Sequence, residues 1–307
     1  MNRLEHNQLL AERSALERMI TDTPEEDVID LRGLRARLDF VKRELGEHQV
    51  DSWIPTKARL TFRGRPVIGS HGIFAEFGMT ATKGFTDAVS MLAAWLDVPL
   101  AATGPIPNRA QNQLIITSTA VGSFGFELEE HREDLLPPED DSALAQALAQ
   151  TQELLQSAAS GSDDELTDAA SGQDERVVSA VRKFLKTLID NEAVCAVMVG
   201  EKLFSFSDVG AVRRSWERLG QDNLHEVPKT LVGMFEGVLP RRRTFEFKLL
   251  ETGDIISGKI GAGITTPAAI NQHLYEQASI PVMETRVGQG RPRYVLTSLP
   301  SWPATTE

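Results

Sequence analysis

Gln113-Leu114-Ile115-Ile116-Thr117-Ser118-Thr119, joined through Ala120-Val121-Gly122-Ser123 to Phe124-Gly125-Phe126-Glu127-Leu128-Glu129, reads as the strongest strand pair in the chain. Alternation in its second half puts Phe124, Phe126 and Leu128 on one face and Glu127 and Glu129 on the other, so one sheet face is buried and one is wet. Upstream, Arg59-Leu60-Thr61-Phe62 and Pro66-Val67-Ile68-Gly69 flank Arg63-Gly64-Arg65, and that pattern predicts a further hairpin because glycine accepts the positive φ of a tight turn. Between the two hairpins, Phe85, Val89, Leu92 and Trp95 recur at helical spacing with Ala93 and Leu96 beside them, giving a helix whose apolar face covers the sheet. Strands joined by hairpins rather than crossovers predict an α+β domain with a mixed or antiparallel sheet.

Downstream, Val178, Val181, Leu185 and Leu188 form the apolar stripe of a helix over 177–188. Val194-Cys195-Ala196-Val197-Met198-Val199 reads as a buried strand with Lys202–Phe206 as its edge partner, and Ser207-Asp208 can cap a helix running to about Leu219. These elements complete a body over 51–226. Residues 131–175 are then an insertion holding one basic and 12 acidic residues. Within it, 137–141 and 160–165 read as loops, with a short helix suggested by Leu144, Leu148 and Leu154-Leu155, so the insertion is expected to be partly disordered.

Residues 3–20 and 25–48 read as two helices. Thr23, Pro24 and Glu26 resemble a capped start of the second. Leu31, Leu34, Leu38, Val41 and Leu45 recur at steps of 3 and 4, a short heptad seam. Leu9, Leu16 and Ile20 of the first helix can face it in an antiparallel hairpin over 1–50, or the seam can drive self-association.

From Arg243, Phe245, Phe247 and Leu249 alternate with Glu246 and Lys248, and Ile255–Ile260 returns after Glu251-Thr252-Gly253-Asp254. A short helix near Pro267–Leu274 precedes a second hairpin, Ile280–Val287 with Arg293–Thr297. Four twisted strands of this length predict a small open barrel over 227–307. Arg241, Arg242, Arg243, Arg286, Arg291 and Arg293, with Tyr294 nearby, form a candidate surface for nucleic acid or another partner, since guanidinium groups contact phosphates and an aromatic ring stacks a base. The five acidic residues between 241 and 300 leave a net charge of only +3 there. The same arginines can instead be a solvated face or contact the acidic stretch of their own chain.

The 307 residues carry a net charge of −12, a single cysteine and 41% hydrophobic residues, with mean hydropathy −0.21. This places the chain among soluble globular proteins without disulfides, transmembrane segments or a secretory leader, and a cytoplasmic location is expected. No phosphate loop, dinucleotide fingerprint, H-E-x-x-H or cysteine–histidine zinc spacing occurs. Gly261-Ala262-Gly263 lacks a third glycine, and Gly122-Ser123-Phe124-Gly125 has the wrong spacing for a nucleophile elbow. His71, between Ser70 and Gly72, is the one histidine in a glycine-flanked loop beside the sheet and is a catalytic candidate. Cys195 lies in an apolar run and is expected to be inert. His225 and His273 are isolated, and Asp190, Glu201 and Asp208 are too scattered to predict a metal site. No cofactor is expected. The sequence therefore favours a non-catalytic oligomerising or scaffold protein that presents a binding surface. A nucleic-acid-binding protein acting through the barrel, and a hydrolase or nuclease without a recognisable motif, are the alternatives.

Overall fold

A computed structural model describes residues 3–24, 27–47, 55–101, 103–120, 124–131, 142–261 and 263–302. They form two compact units, one with the N-terminal helices and one beginning at Thr56.

In the first unit, α1 (Arg3–Asp22) and α2 (Val28–Glu47) pair as a hairpin. Leu16, Leu31 and Val41 are buried, and Arg37 Nε donates to Glu12 Oε1 at 2.7 Å from the other helix. The start of α2 differs from expectation. Thr23 ends α1 instead of capping α2, because both its amide and its hydroxyl donate to Met19 O, at 3.0 and 2.7 Å. Its side chain is thereby used up by the preceding turn, and α2 begins four residues after Pro24. Glu26 lies outside the described residues.

The second unit is built on a five-stranded sheet. Its strands are β1 (Lys57–Gly64), β4 (Gln113–Ala120), β5 (Phe124–His131), β6 (Ala193–Val199) and β7 (Lys202–Ser205), in the order β4-β5-β1-β6-β7. All neighbours are antiparallel. In β1, Ala58, Leu60 and Phe62 point into the core. On the opposite face Arg59 pairs with Glu127 at 2.8 Å and Lys57 with Glu129 at 2.9 Å, which accounts for the alternation read in β5. The predicted first hairpin is not formed. Both edges of β1 are occupied by β5 and β6, so β2 (Val67–Ile68) turns back on β3 (Gly72–Ile73) instead.

The core face is covered by α3 (Ala75–Asp97), α4 (Ala143–Ser160) and α6 (Glu175–Asp190), with α5 (Asp163–Ala170) and α7 (Val209–Arg218) beside them. Phe85 of α3 meets Phe184 of α6 edge-on at 5.7 Å. In the acidic stretch, the helix expected from Leu144, Leu148 and Leu154-Leu155 forms as α4, and the order extends further than expected. From Ser142 onward the stretch is helical, and Leu144, Leu148, Leu154, Leu155 and Leu166 are buried in the main core. The segment 160–165, expected as a loop, is a helix end followed by a capping box. Ser162 Oγ accepts from Glu165 N at 3.2 Å, and Glu165 Oε2 accepts from Ser162 N at 2.7 Å. Three acidic residues in the first turn of α5 suit its positive N-terminal end. Residues 137–141, expected as a loop, lie outside the described residues.

The barrel is closed, not open. It runs β10-β12-β11-β8-β9, with β8 (Leu224–Leu239), β9 (Thr244–Leu249), β10 (Ile255–Ile260), β11 (Gln277–Val287) and β12 (Arg293–Leu296). Closure needs β8, which the sequence reading left out, and a parallel pairing of β10 with β12. Phe235, Phe245 and Phe247 pack edge-on inside it. The long ribbon β8/β11 carries the barrel into the rest of the unit. Val287 at the end of β11 is fully buried in the core of the helical layer.

Candidate functional site

The barrel's basic residues meet α5 along one line of contacts. Val287 N donates to Thr167 Oγ1 at 3.2 Å, Gln289 N to Asp163 Oδ2 at 3.4 Å and Arg291 N to Asp164 Oδ1. Arg293 grips both carboxylate oxygens of Asp168. Lys259 Nζ donates to Asp168 O and Ser171 O, both at 3.0 Å. Arg218 of α7 completes the line, with Nη2 on Asp163 at 3.0 Å and Nη1 on Ser157 O and Ala158 O. The hydrogen bonds from Arg293 hold the Asp168 carboxyl below its ordinary range, against the opposing effect of burial. The Lys259 ammonium is also pulled down, here by desolvation, against the attraction of Asp168.

Beside this line lies a cleft of about 420 Å³ whose walls include Trp95, Glu153, Asp168, Arg242, Lys259 and Val295. The Trp95 indole donates to Gly172 O at 3.0 Å, fixing one wall. The lining contains no histidine or cysteine, so the described residues offer no imidazole or thiol for acid–base or nucleophilic chemistry there. A second cleft, about 520 Å³, is walled by Glu175, Ser179, Arg182, His225, Glu226 and Met283. Desolvation by these walls and the repulsion of Glu175 raise the pKa of Glu226.

The sequence-nominated arginines divide into two groups. Arg243 is spent on the fold: its guanidinium donates to Ile260 O at 3.2 Å, to Ile264 O at 3.0 Å and to Gly261 O. Arg293 is committed to Asp168. The Arg241, Arg242, Arg286 and Arg291 side chains are exposed. Tyr294 is half-buried in β12, opposite Glu284, and burial raises its pKa. The residues that receive the barrel, Asp163, Asp164 and Asp168, were not singled out from sequence. The signal that locates them is the S-x-x-E spacing of Ser162 and Glu165, which marks a helix start inside the acidic run.

His71 is exposed in the β2–β3 turn, and its ring makes no hydrogen bond or ion pair among the described residues. Asp208 caps α7 through Ala211 N at 2.8 Å, and Asp190 pairs with Lys186 one turn away. No cluster of three or more His, Cys, Asp or Glu side chains suited to a metal forms among the described residues. Cys195 is buried, and burial pushes its thiol pKa up, away from reactive thiolate chemistry. His273 stacks on Trp302 at 4.2 Å and meets Glu276.

In the hairpin unit, Leu31 and Val41 of the nominated seam are buried, and Leu34, Leu38 and Leu45 are half-buried. Ile29 is 87% exposed, Val28 66% and Met19 54%. No helix among the described residues is long and apolar enough to cross a membrane. No protein-family model matches the chain, and no curated protein matches it.

Proposed function

We propose that the protein is a non-catalytic scaffold that self-associates through its N-terminal helical pair and presents the sheet-and-barrel unit to a macromolecular partner. The half-covered seam carries this reading. Two helices of 20 residues each are short for a stable unit, because helices of this size draw most of their stability from packing an apolar face. Here the pair buries Leu16, Leu31 and Val41 but leaves Leu34, Leu38 and Leu45 half-buried. A second pair laid on the same seam makes a four-helix bundle and covers them.

Nucleic-acid binding through the barrel has less support, since Arg243 and Arg293 are engaged within the chain. A hydrolase built on His71 has less still, because no partner group stands by its ring among the described residues.

Sedimentation equilibrium of the full chain tests the proposal. The unmodified protein is expected to be a dimer or larger, and the double variant Leu34→Lys, Leu38→Lys to be monomeric with an intact melting transition. A monomer at high micromolar concentration in the unmodified protein defeats the reading.

A further inference from the structure

The two edges of the five-stranded sheet are unlike. β7 has four residues and begins with Lys202, and a short strand with a charged residue is an ordinary way to keep an edge from pairing. β4 has eight residues, is exposed from Ile116 to Thr119, and leaves the Ile116 side chain 57% exposed. No ionisable side chain occurs between Arg109 and Glu127. Among the described residues, no backbone–backbone hydrogen bond reaches the outer edge of β4, so that row of amides and carbonyls is left for water or for another strand. Its one shielding feature is the irregularity between Ile116 and Ser118, in the ladder it shares with β5.

We propose that the outer edge of β4 pairs antiparallel, about a two-fold axis, with β4 of a second copy of this chain, joining two five-stranded sheets into one. This rests on the self-association reading above and adds a second contact to it. The charge pattern selects a second copy as the occupant. A two-fold pairing sets the segment against itself, so any charge in it would meet the same charge, and β4 has none. Of the carboxylates on the neighbouring strand, Glu127 and Glu129 are already neutralised by Arg59 and Lys57, and Glu130, opposite Leu114, is buried and accepts from Ser142 Oγ at 2.9 Å. They do not oppose the approach. Pairing also extends the sheet over Ile116, and over Leu114, which already packs at the margin of the main core.

The test follows backbone hydrogen exchange across 113–120 in the full-length protein at low and high concentration, alongside sedimentation. The β4 amides are expected to gain protection as the dimer forms, and Ile116→Lys to weaken the dimer at least tenfold. To separate pairing from folding, equal amounts of Ile116→Lys and Ile116→Glu are also mixed, and the mixture is expected to recover the dimer that each variant loses alone. A dimer abolished by Leu34→Lys, Leu38→Lys but unaffected by Ile116→Lys, with β4 exchanging fast at every concentration, overturns this inference and leaves the hairpin reading standing. A monomer throughout overturns both. Protection of β4 that does not depend on concentration overturns the pairing too, and places a segment of the same chain on the edge.

Discussion

Arg293 of β12 and Asp168 of α5 are joined by two hydrogen bonds, with Nη2 to Oδ2 at 2.9 Å, and the pair ties the barrel to the helical layer. The α5 part of the acidic stretch is in this sense an internal contact surface, with Asp163 and Asp168 taken up by the chain's own Arg218 and Arg293. The Asp168 carboxyl's pKa is depressed, so its stabilising effect is complete above the unfolded-state value and lost as pH falls through the folded-state value.

Arg293→Ala is accordingly expected to lower stability at pH 7 by about 1 kcal/mol or less, the range for a partly solvent-screened bidentate pair. At acid pH below the depressed folded-state value, where the carboxylate is protonated in both states, the deficit is expected to shrink towards zero. Urea denaturation at both pH values checks this. An equal deficit at both would mean that the arginine acts through the packing of its stem.

Gly258 sits inside β10 between two strands. A Cβ there would lie 2.4 Å from Phe245 Cζ and 2.7 Å from Tyr294 O, and the backbone cannot retreat because β9 holds it on one side and β12 on the other. Gly258→Ala is expected to destabilise the protein by about 1–3 kcal/mol through overpacking. Gly237→Ala, where a Cβ meets nothing within 4 Å, is the matched control and is expected to stay within about 0.5 kcal/mol. Thermal melts of the two variants side by side read the difference.

These contacts show where the sequence was legible. The alternation in β5, the stripe Val178–Val181–Leu185–Leu188 and the Asp208 cap are local patterns, and each forms where its spacing points. β8 was not legible. Pro228, Gly233 and Gly237 interrupt its alternation, and the stretch from His225 to Thr230 is exposed, so half of the strand lacks an apolar face to read. Barrel closure depends on β10 meeting β12 from about 35 residues away, a pairing that no local period encodes. In the acidic run, the spacing of Leu144, Leu148 and Leu154-Leu155 marked α4, but the density of charge around 160–165 concealed the start of α5, whose Leu166 is fully buried. At the site, Arg293 was nominated by its charge. Its partner Asp168 becomes visible only once α5 is recognised as a helix that carries it towards the barrel.

Glu226 offers the opposite pH signature. Glu226 as a residue is exposed on β8, but its carboxyl faces the second cleft. Desolvation by the cleft walls first and the repulsion of Glu175 next raise its pKa, with a smaller contribution from Asp174. The hydrogen bond from Thr285 Oγ1 acts against these. A carboxylate harder to ionise in the fold than in the unfolded chain costs nothing below its unfolded-state pKa and carries its full penalty above the folded-state pKa. Glu226→Gln removes the charge and keeps an oxygen to accept from Thr285. Its melting temperature is expected to exceed that of the unmodified protein at pH 7 and to converge with it near pH 4 and below, where the glutamate is protonated in both states. Parallel melts across that range decide the point. A variant less stable at pH 7 would mean that the negative charge is held by a cation in the same cleft, with Arg182 the first to examine by a double-mutant cycle.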